Sequence, residues 1–266
     1  YISTVSPTYA KEICTSEYAH GLEDVLNKNK HKLRGILNGI DYDVYDPAKS
    51  KSLFVNYSAT SLEKKAENKQ ELQKMLGLNV DAGAPLIAMI TRLVNHKGIS
   101  LVRSAFNDIM NSGAQFVILG TGDADHENFF RHMQNLYGNR VHAVITFNKD
   151  LAQKIYAGAD IFLMPSLSEP CGLSQMIALR YGTVPVVRTT GGLKDSIEDC
   201  GDGKTGNGFT FSGANAGELK HAVDRAVGLY CVYGDIWKGL RERAAKCDFS
   251  WTESAIKYQA FYDEMF

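Results

Sequence analysis

Five short apolar runs, at residues 86 to 91, 115 to 120, 141 to 146, 160 to 164 and 184 to 188, recur with helical patterns between them. That alternation constrains the fold more than any other feature of the chain. A run such as Ile161-Phe162-Leu163-Met164 is apolar on both faces of a strand, so it needs cover on both, as in a parallel sheet. The intervening helices supply the cover and the right-handed return between strands. From Glu218 to Tyr230, the residues Leu219, Ala222, Val223, Ala226, Val227 and Tyr230 form one apolar stripe. With a short extension at Phe209-Thr210-Phe211, the pattern predicts an α/β, Rossmann-like doubly wound parallel sheet.

Open sheets of this kind bind ligands at the carboxyl ends of their strands, and two predicted strands leave those ends carrying chemistry. The first exit is Pro165-Ser166-Leu167-Ser168-Glu169-Pro170-Cys171-Gly172-Leu173-Ser174-Gln175. Its two prolines bracket a loop, after which Leu173, Met176, Ile177 and Tyr181 fall at helical spacing. A helix opening after Gly172 leaves backbone N–H groups unpaired and a partial positive charge where a phosphate can sit. Glu169 then stands at the rim. Turn chemistry alone also asks for Pro and Gly here, and Cys171 reads as a small apolar filler rather than a reactive thiol.

The second exit follows Leu86-Ile87-Ala88-Met89-Ile90 and bears Arg92 and Lys97, with His96 a weaker candidate. Two fixed cations on one rim suit a diphosphate leaving group, whose negative charge grows as its bond to a sugar breaks. Arg and Lys are also common on any loop surface, so the two exits carry the reading only together.

These residues resemble the bacterial glycogen synthases and plant starch synthases, retaining glycosyltransferases that use ADP-glucose. The resemblance runs through Ser3-Thr4-Val5-Ser6-Pro7-Thr8-Tyr9-Ala10, Gly35-Ile36-Leu37-Asn38-Gly39-Ile40-Asp41, Thr91-Arg92-Leu93 with Lys97-Gly98, Gly120-Thr121-Gly122-Asp123, Ser168-Glu169-Pro170-Cys171-Gly172-Leu173 and Thr190-Gly191-Gly192-Leu193. It implies the carboxy-terminal domain of a two-domain GT-B glycosyltransferase. Position by position, Arg92 and Lys97 bind the diphosphate and Glu169 lies against the donor glucose. Cys171, Gly172 and Leu173 line the same pocket, Ser174 meets the phosphates, and Asn38 faces the cleft. Thr190 and Gly191, in the family's second Gly-Gly-Leu turn, complete the substrate-binding set. Phe147 matches a place where relatives carry an aromatic near the adenine, where a stacked base and a buried core Phe fit equally well.

Two departures accompany the resemblance. Many related transferases carry a second Glu eight residues after the first, and Ile177 stands there; glycogen and starch synthases generally lack that Glu too. The Lys-x-Gly-Gly-Leu loop with which such enzymes begin is missing. At 266 residues the chain is about half of what two such domains need, so a fragment is expected. Residues 1–34 are expected to be the tail of the amino-terminal acceptor domain plus a linker. Within them, Tyr1 to Ile13 reads as a strand and helix and Lys28 to Arg34 as a polar connection. Residues 35–248 are expected to form the nucleotide-sugar-binding domain, and 249–266 a helix that crosses back and exposes aromatics.

The implied reaction moves glucose from ADP-glucose to the non-reducing 4-hydroxyl of an α-1,4-glucan with retention, without cofactor or metal. The fragment alone is expected to be inactive. The alternatives are a relative using UDP-glucose and a noncatalytic nucleotide- or glucan-binding domain.

Composition fits a cytosolic globular domain. With 44% hydrophobic residues a sizeable core is available, and a formal net charge of −1 gives no long-range pull on nucleic acid or anionic membrane. No run approaches the roughly 20 apolar residues of a membrane span, and no secretory signal is expected at Tyr1. Cys14, Cys171, Cys200, Cys231 and Cys247 have neither disulfide-framework nor zinc spacing, and they read as reduced thiols. A bacterial cytoplasm is the expected location, or a plastid for a plant chain. Gly201-Asp202-Gly203-Lys204-Thr205 lacks the first Gly of a phosphate loop, since position 198 is Glu198. Gly120-Thr121-Gly122-Asp123 lacks the third Gly of a dinucleotide fingerprint.

Overall fold

A computed structural model describes residues 1–265. The chain opens with β1 (Ile2–Thr4), α1 (Pro7–Glu12), α2 (Glu23–Lys28) and β2 (Leu33–Gly35). Helix α3 (Lys65–Met75) leads into strict alternation: β3 (Leu86–Ile90), α4 (Ile99–Asn111), β4 (Gln115–Leu119), α5 (Ala124–Tyr137), β5 (Val141–Val144) and α6 (Lys149–Gly158). It continues through β6 (Ile161–Met164), α7 (Ser174–Arg180), β7 (Val184–Arg188), α8 (Gly191–Ser196) and β8 (Phe209–Phe211). Helices α9 (Ala216–Val232), α10 (Gly234–Lys246) and α11 (Trp251–Asp263) close the described chain.

Strands β3 to β8 form one six-stranded sheet in the order β5-β4-β3-β6-β7-β8, and every neighbouring pair is parallel. Strand order reverses between β3 and β6, where Ile87 pairs with Ile161 and Ala88 with Phe162. Chain leaving these two strands diverges to opposite flanks and opens a crevice at their carboxyl ends.

Both faces of the sheet are dry. Ile87 and Met89 pack with α4, α5 and α9 on one side, whereas Leu86 and Ala88 pack with α3, α6 and α7 on the other. Alternation along a strand sends successive side chains to opposite faces, and apolar residues at every position therefore need two layers of helix. Phe106 and Phe116 meet edge to face at 5.1 Å between ring centres, and both are fully buried. Each such ring withdrawn from water contributes about 1.5–3 kcal/mol.

Most predicted elements stand, with β3, β4 and β5 ending one or two residues early. At Gly120, just past β4, the backbone runs so close to the chain leaving β3 that a Cβ would lie 1.8 Å from the Thr91 carbonyl oxygen. The stretch from Lys28 to Arg34, expected to be a polar connection, is instead folded. It holds the end of α2, a 3-10 turn and β2, which pairs in parallel with β1 through Ile2 and Leu33. Leu33 is buried, and its single apolar side chain among lysines gives no periodic signal. The expected boundary at 34/35 thus falls inside a strand.

Helix α11 packs back onto the opening segment. Phe261 meets the Tyr1 ring edge to face at 5.8 Å, Arg34 pairs with Glu264 at 3.2 Å, and the Ser254 hydroxyl donates to the Leu37 carbonyl. Trp251 and Tyr262 on the same helix are about half exposed. Among the described residues, no helix is long and apolar enough to cross a membrane.

Candidate active site at the strand-order reversal

The two chemistry-bearing loops leave neighbouring parallel strands, so the fold sets them side by side. Gly98 ends the loop after β3 with φ +73°, and a Cβ there would stand 2.0 Å from the Pro165 carbonyl oxygen at the start of the loop after β6. Only glycine allows that approach. Two residues earlier, the His96 carbonyl accepts the Leu167 N–H at 2.8 Å, and Arg188 on β7 donates to the Leu167 carbonyl at 2.9 Å. The backbones of both loops are thereby tied together.

On that frame the Lys97 ammonium lies 2.6 Å from Glu169 Oε2, and the Ser166 hydroxyl donates to the same oxygen at 2.9 Å. The two side chains are 18% and 9% exposed, so the pair is well shielded from water. Its other oxygen, Oε1, takes part in no hydrogen bond among the described residues. One carboxylate oxygen is therefore anchored and the other is left for a ligand. Lys97 retains two of its three donors.

Arg92 is exposed and reaches His96 Nε2 at 3.4 Å. Burial, then the Lys97 and Arg92 cations, hold the His96 imidazole below its ordinary range. That disfavours a third cation beside them.

A cavity of about 390 Å³ opens beyond the carboxyl ends of β3, β4 and β5. Its wall includes Tyr45, Arg92, Thr121, Phe147, Leu173 and Ser174. Phe147 is 80% exposed, which rules out the buried core reading and sets its ring at the rim. Leu173 is also exposed, and none of the described hydrogen bonds uses the amides of Gly172, Leu173 or Ser174. Gln175 holds this turn open: its side-chain amide donates to the Cys171 carbonyl at 3.2 Å, the Gly172 carbonyl at 2.9 Å and the Ser196 hydroxyl at 3.0 Å.

Glu169, Lys97, Cys171, Gly172, Asn38, Thr190 and Gly191 are not part of the cavity wall. The first two belong to the same two loops as the wall residues Leu173 and Arg92. Cys171 is buried, and burial pushes its thiol up against an opposing backbone N–H from Asn38, in keeping with a packed filler. Thr190 and Gly191 are engaged elsewhere: the Thr190 hydroxyl and the Gly191 amide both donate to Glu12 Oε1, at 3.0 and 2.9 Å. Sequence reasoning did not single out Ser166, Gln175 or Glu12. Ser166 alone carried a signal, a hydroxyl three residues before the acid in the same loop. Among the described residues, no three His, Cys, Asp or Glu side chains cluster as a metal site.

A doubly wound parallel sheet, with a cation loop and an acid loop meeting at its strand-order reversal, has the architecture of one half of the GT-B glycosyltransferase fold. The family model of group 1 glycosyl transferases matches residues 69–230, and that of the starch synthase catalytic domain matches residues 1–28. Glycogen synthase from Thermosipho melanesiensis is 49% identical over 264 residues, which cover 99% of this chain and 55% of that relative. Its counterpart from Kosmotoga olearia is 50% identical over 262 residues, 98% of this chain and 55% of the relative. The catalytic domain of starch synthase IV from Arabidopsis thaliana, bound to ADP and acarbose, superposes with a TM-score of 0.92 at 40% identity, over 98% of this chain and 55% of that one. The chain belongs to the glycogen synthase family and spans about half the length of the curated relatives it matches.

Proposed function

We propose that this chain is the donor-binding half of a retaining hexosyltransferase that moves glucose from ADP-glucose to the non-reducing 4-hydroxyl of an α-1,4-glucan. The observation that carries the reading is the Lys97–Glu169 pair, set at the strand-order reversal beside a cavity lined by Arg92 and rimmed by Phe147. The ADP in the starch synthase IV complex supports the choice of nucleotide.

In this reading the adenine lies against Phe147 and the diphosphate meets Arg92, Lys97 and the free amides at Gly172 to Ser174. Charge that grows on the leaving diphosphate is met by donors already in position, so their stabilisation is greatest in the transition state. The free Oε1 of Glu169 orients the glucose and offsets positive charge at the anomeric carbon. No second carboxylate stands eight residues on, where Ile177 is buried, and retention then follows from front-face attack in which the departing phosphate takes the acceptor proton. The opening segment through β2 and residues 249–266 belong with the acceptor domain, and the glucan lies between the two halves. Arg92 and Lys97 take the role a cation plays elsewhere, so no metal is assigned to the step. A bacterial cytoplasm is the setting this reading implies.

The test is calorimetric titration of this chain with ADP and UDP, repeated on Lys97→Ala. Selective ADP binding, weakened about tenfold by the substitution, is the expected result. Equal binding of both nucleotides moves the assignment to another donor. Unchanged ADP binding in Lys97→Ala removes the diphosphate from this rim.

A further inference from the structure

The loop bearing Arg92 and Lys97 is held from behind by a side chain that the proposed chemistry does not use. His126, in the first turn of α5, is 5% exposed and lies between two partners. Its Nδ1 is 3.1 Å from an Arg103 guanidinium nitrogen on α4, and its Nε2 is 3.0 Å from Asn95 Oδ1, two residues before Lys97. Arginine has only donors to offer, so Nδ1 must accept, and the ring proton sits on Nε2 and goes to Asn95. The tautomer is thus fixed from the core side.

Arg103 is itself immobilised. It pairs with Asp125 and lies 5.0 Å over the Phe129 ring, which packs on Phe106 in the main core. A continuous path therefore runs from the aromatic core through Arg103 and His126 to Asn95. The imidazole supplies the only side-chain hydrogen bond Asn95 makes among the described residues. Backbone bonds on this flank, Leu93 N–H to the Thr121 carbonyl and Asp123 N–H to the Leu93 carbonyl, hold the loop only as far as Leu93. Beyond Leu93 the turn from Asn95 to Lys97 is tied to the acid loop by the His96 carbonyl, which accepts the Leu167 N–H, and on the α5 flank by the Asn95 side chain.

We propose that His126 is a positioning residue for the cation loop: as a neutral bridge between Arg103 and Asn95, it sets where the Lys97 ammonium stands relative to Glu169 and to a bound nucleoside diphosphate. The proposal rests on the donor-site reading above for its ligand, but not for its geometry. A histidine that merely fills space would leave Lys97 in place when replaced by a side chain of similar size. A positioning histidine acts through Lys97, and its loss is redundant once Lys97 is gone.

Two measurements on this chain test it. Amide hydrogen exchange across residues 93–98 reads the loop without ligand. His126→Phe is expected to accelerate exchange there selectively. His126→Gln is expected to restore protection, because its amide can accept from Arg103 and donate to Asn95. Faster exchange spread evenly over α5, or no change in the loop, overturns the positioning role. In the second measurement, ADP titration, His126→Phe is expected to weaken binding about tenfold in the native background and less than about twofold on top of Lys97→Ala. Fully additive losses also overturn it. Failure of the unaltered chain to bind ADP counts against the donor-site reading and leaves the exchange experiment to decide for His126.

Discussion

Glu12 Oε1 accepts the backbone N–H of Gly191 at 2.9 Å, tying α1 to the turn behind the acid loop. The same oxygen takes the Thr190 hydroxyl, and four residues further on Asp195 receives the Ser6 hydroxyl and the Thr8 amide at 2.5 and 2.8 Å. Gly191 in turn sits so close to the Glu169 carbonyl oxygen that a Cβ would lie 2.0 Å from it. Carboxylates on both sides of the α1–α8 contact thus brace the backbone that presents Glu169. Glu12→Ala leaves a largely enclosed amide without an acceptor and should cost about 1–3 kcal/mol, whereas Glu12→Gln keeps the acceptor and should cost less. Denaturant midpoints of the two variants compare them, and equal midpoints would mean that the brace contributes nothing.

Under the proposed function, Glu169 Oε2 and the donor diphosphate compete for the Lys97 ammonium, which lies 2.6 Å from that oxygen. Glu169→Gln removes the carboxylate charge while keeping an oxygen for Ser166 and Lys97. ADP affinity should therefore hold or rise, and turnover by a full-length enzyme carrying the substitution should fall in kcat. A calorimetric titration and a steady-state assay separate the two effects. Weakened ADP binding together with normal kcat would contradict the roles given to both residues.

At the opposite end of the same two strands lies a buried ion pair with no part in the chemistry. Lys69 Nζ is 2.7 Å from Asp160 Oδ2 and also donates to the Ala84 carbonyl and the Tyr230 hydroxyl, with the two side chains 5% and 10% exposed. Burial alone would lower the Lys69 pKa, but Asp160 and Tyr230 outweigh it and hold the ammonium above its usual range. Lys69→Met strands Asp160 as an uncompensated buried charge, at a cost of about 3–5 kcal/mol. The expected signature is a lower denaturant midpoint with unchanged ADP affinity, since the pair and the rim occupy opposite edges of the sheet. A loss of affinity without a loss of stability would contradict that separation.

What the sequence made legible is what local patterns encode. Strands such as Leu86 to Ile90 are apolar at every position, and the charged residues on two strand exits mark the rim. The approach of Lys97 to Glu169 joins residues 72 positions apart, and it is inferred from the sequence only because parallel topology sets the two exits together. Contacts outside such a rule stay hidden. Glu12 reaches Gly191 across 179 positions, Ser166 is one hydroxyl among many, and the pairing of β1 with β2 rests on a single buried leucine. Phe147 was ambiguous because an aromatic after a strand serves core and ligand alike, and only its exposure decides.

A last expectation concerns acid. Asp199 accepts hydrogen bonds from Arg225 at 3.2 Å, from the Gly201 amide at 2.9 Å and from the Thr210 amide at 2.7 Å, linking α9 to the segment around β8. Burial pushes its carboxyl up, but Arg225 and the two amides outweigh that and hold it below the usual carboxylate range. A carboxyl depressed in the folded state lends stability that is full above its unfolded pKa of about 3.9 and is lost as pH falls through the folded value. The carboxylate is partly exposed, and screening keeps the contribution to on the order of 1 kcal/mol. Asp199→Asn should therefore lower the denaturant midpoint at pH 7 and pH 5, with the gap from the unaltered chain closing below about pH 4. A gap that stays constant down to pH 3 would assign the effect to the shape of the side chain, because only a charged group can lose its contribution by taking up a proton.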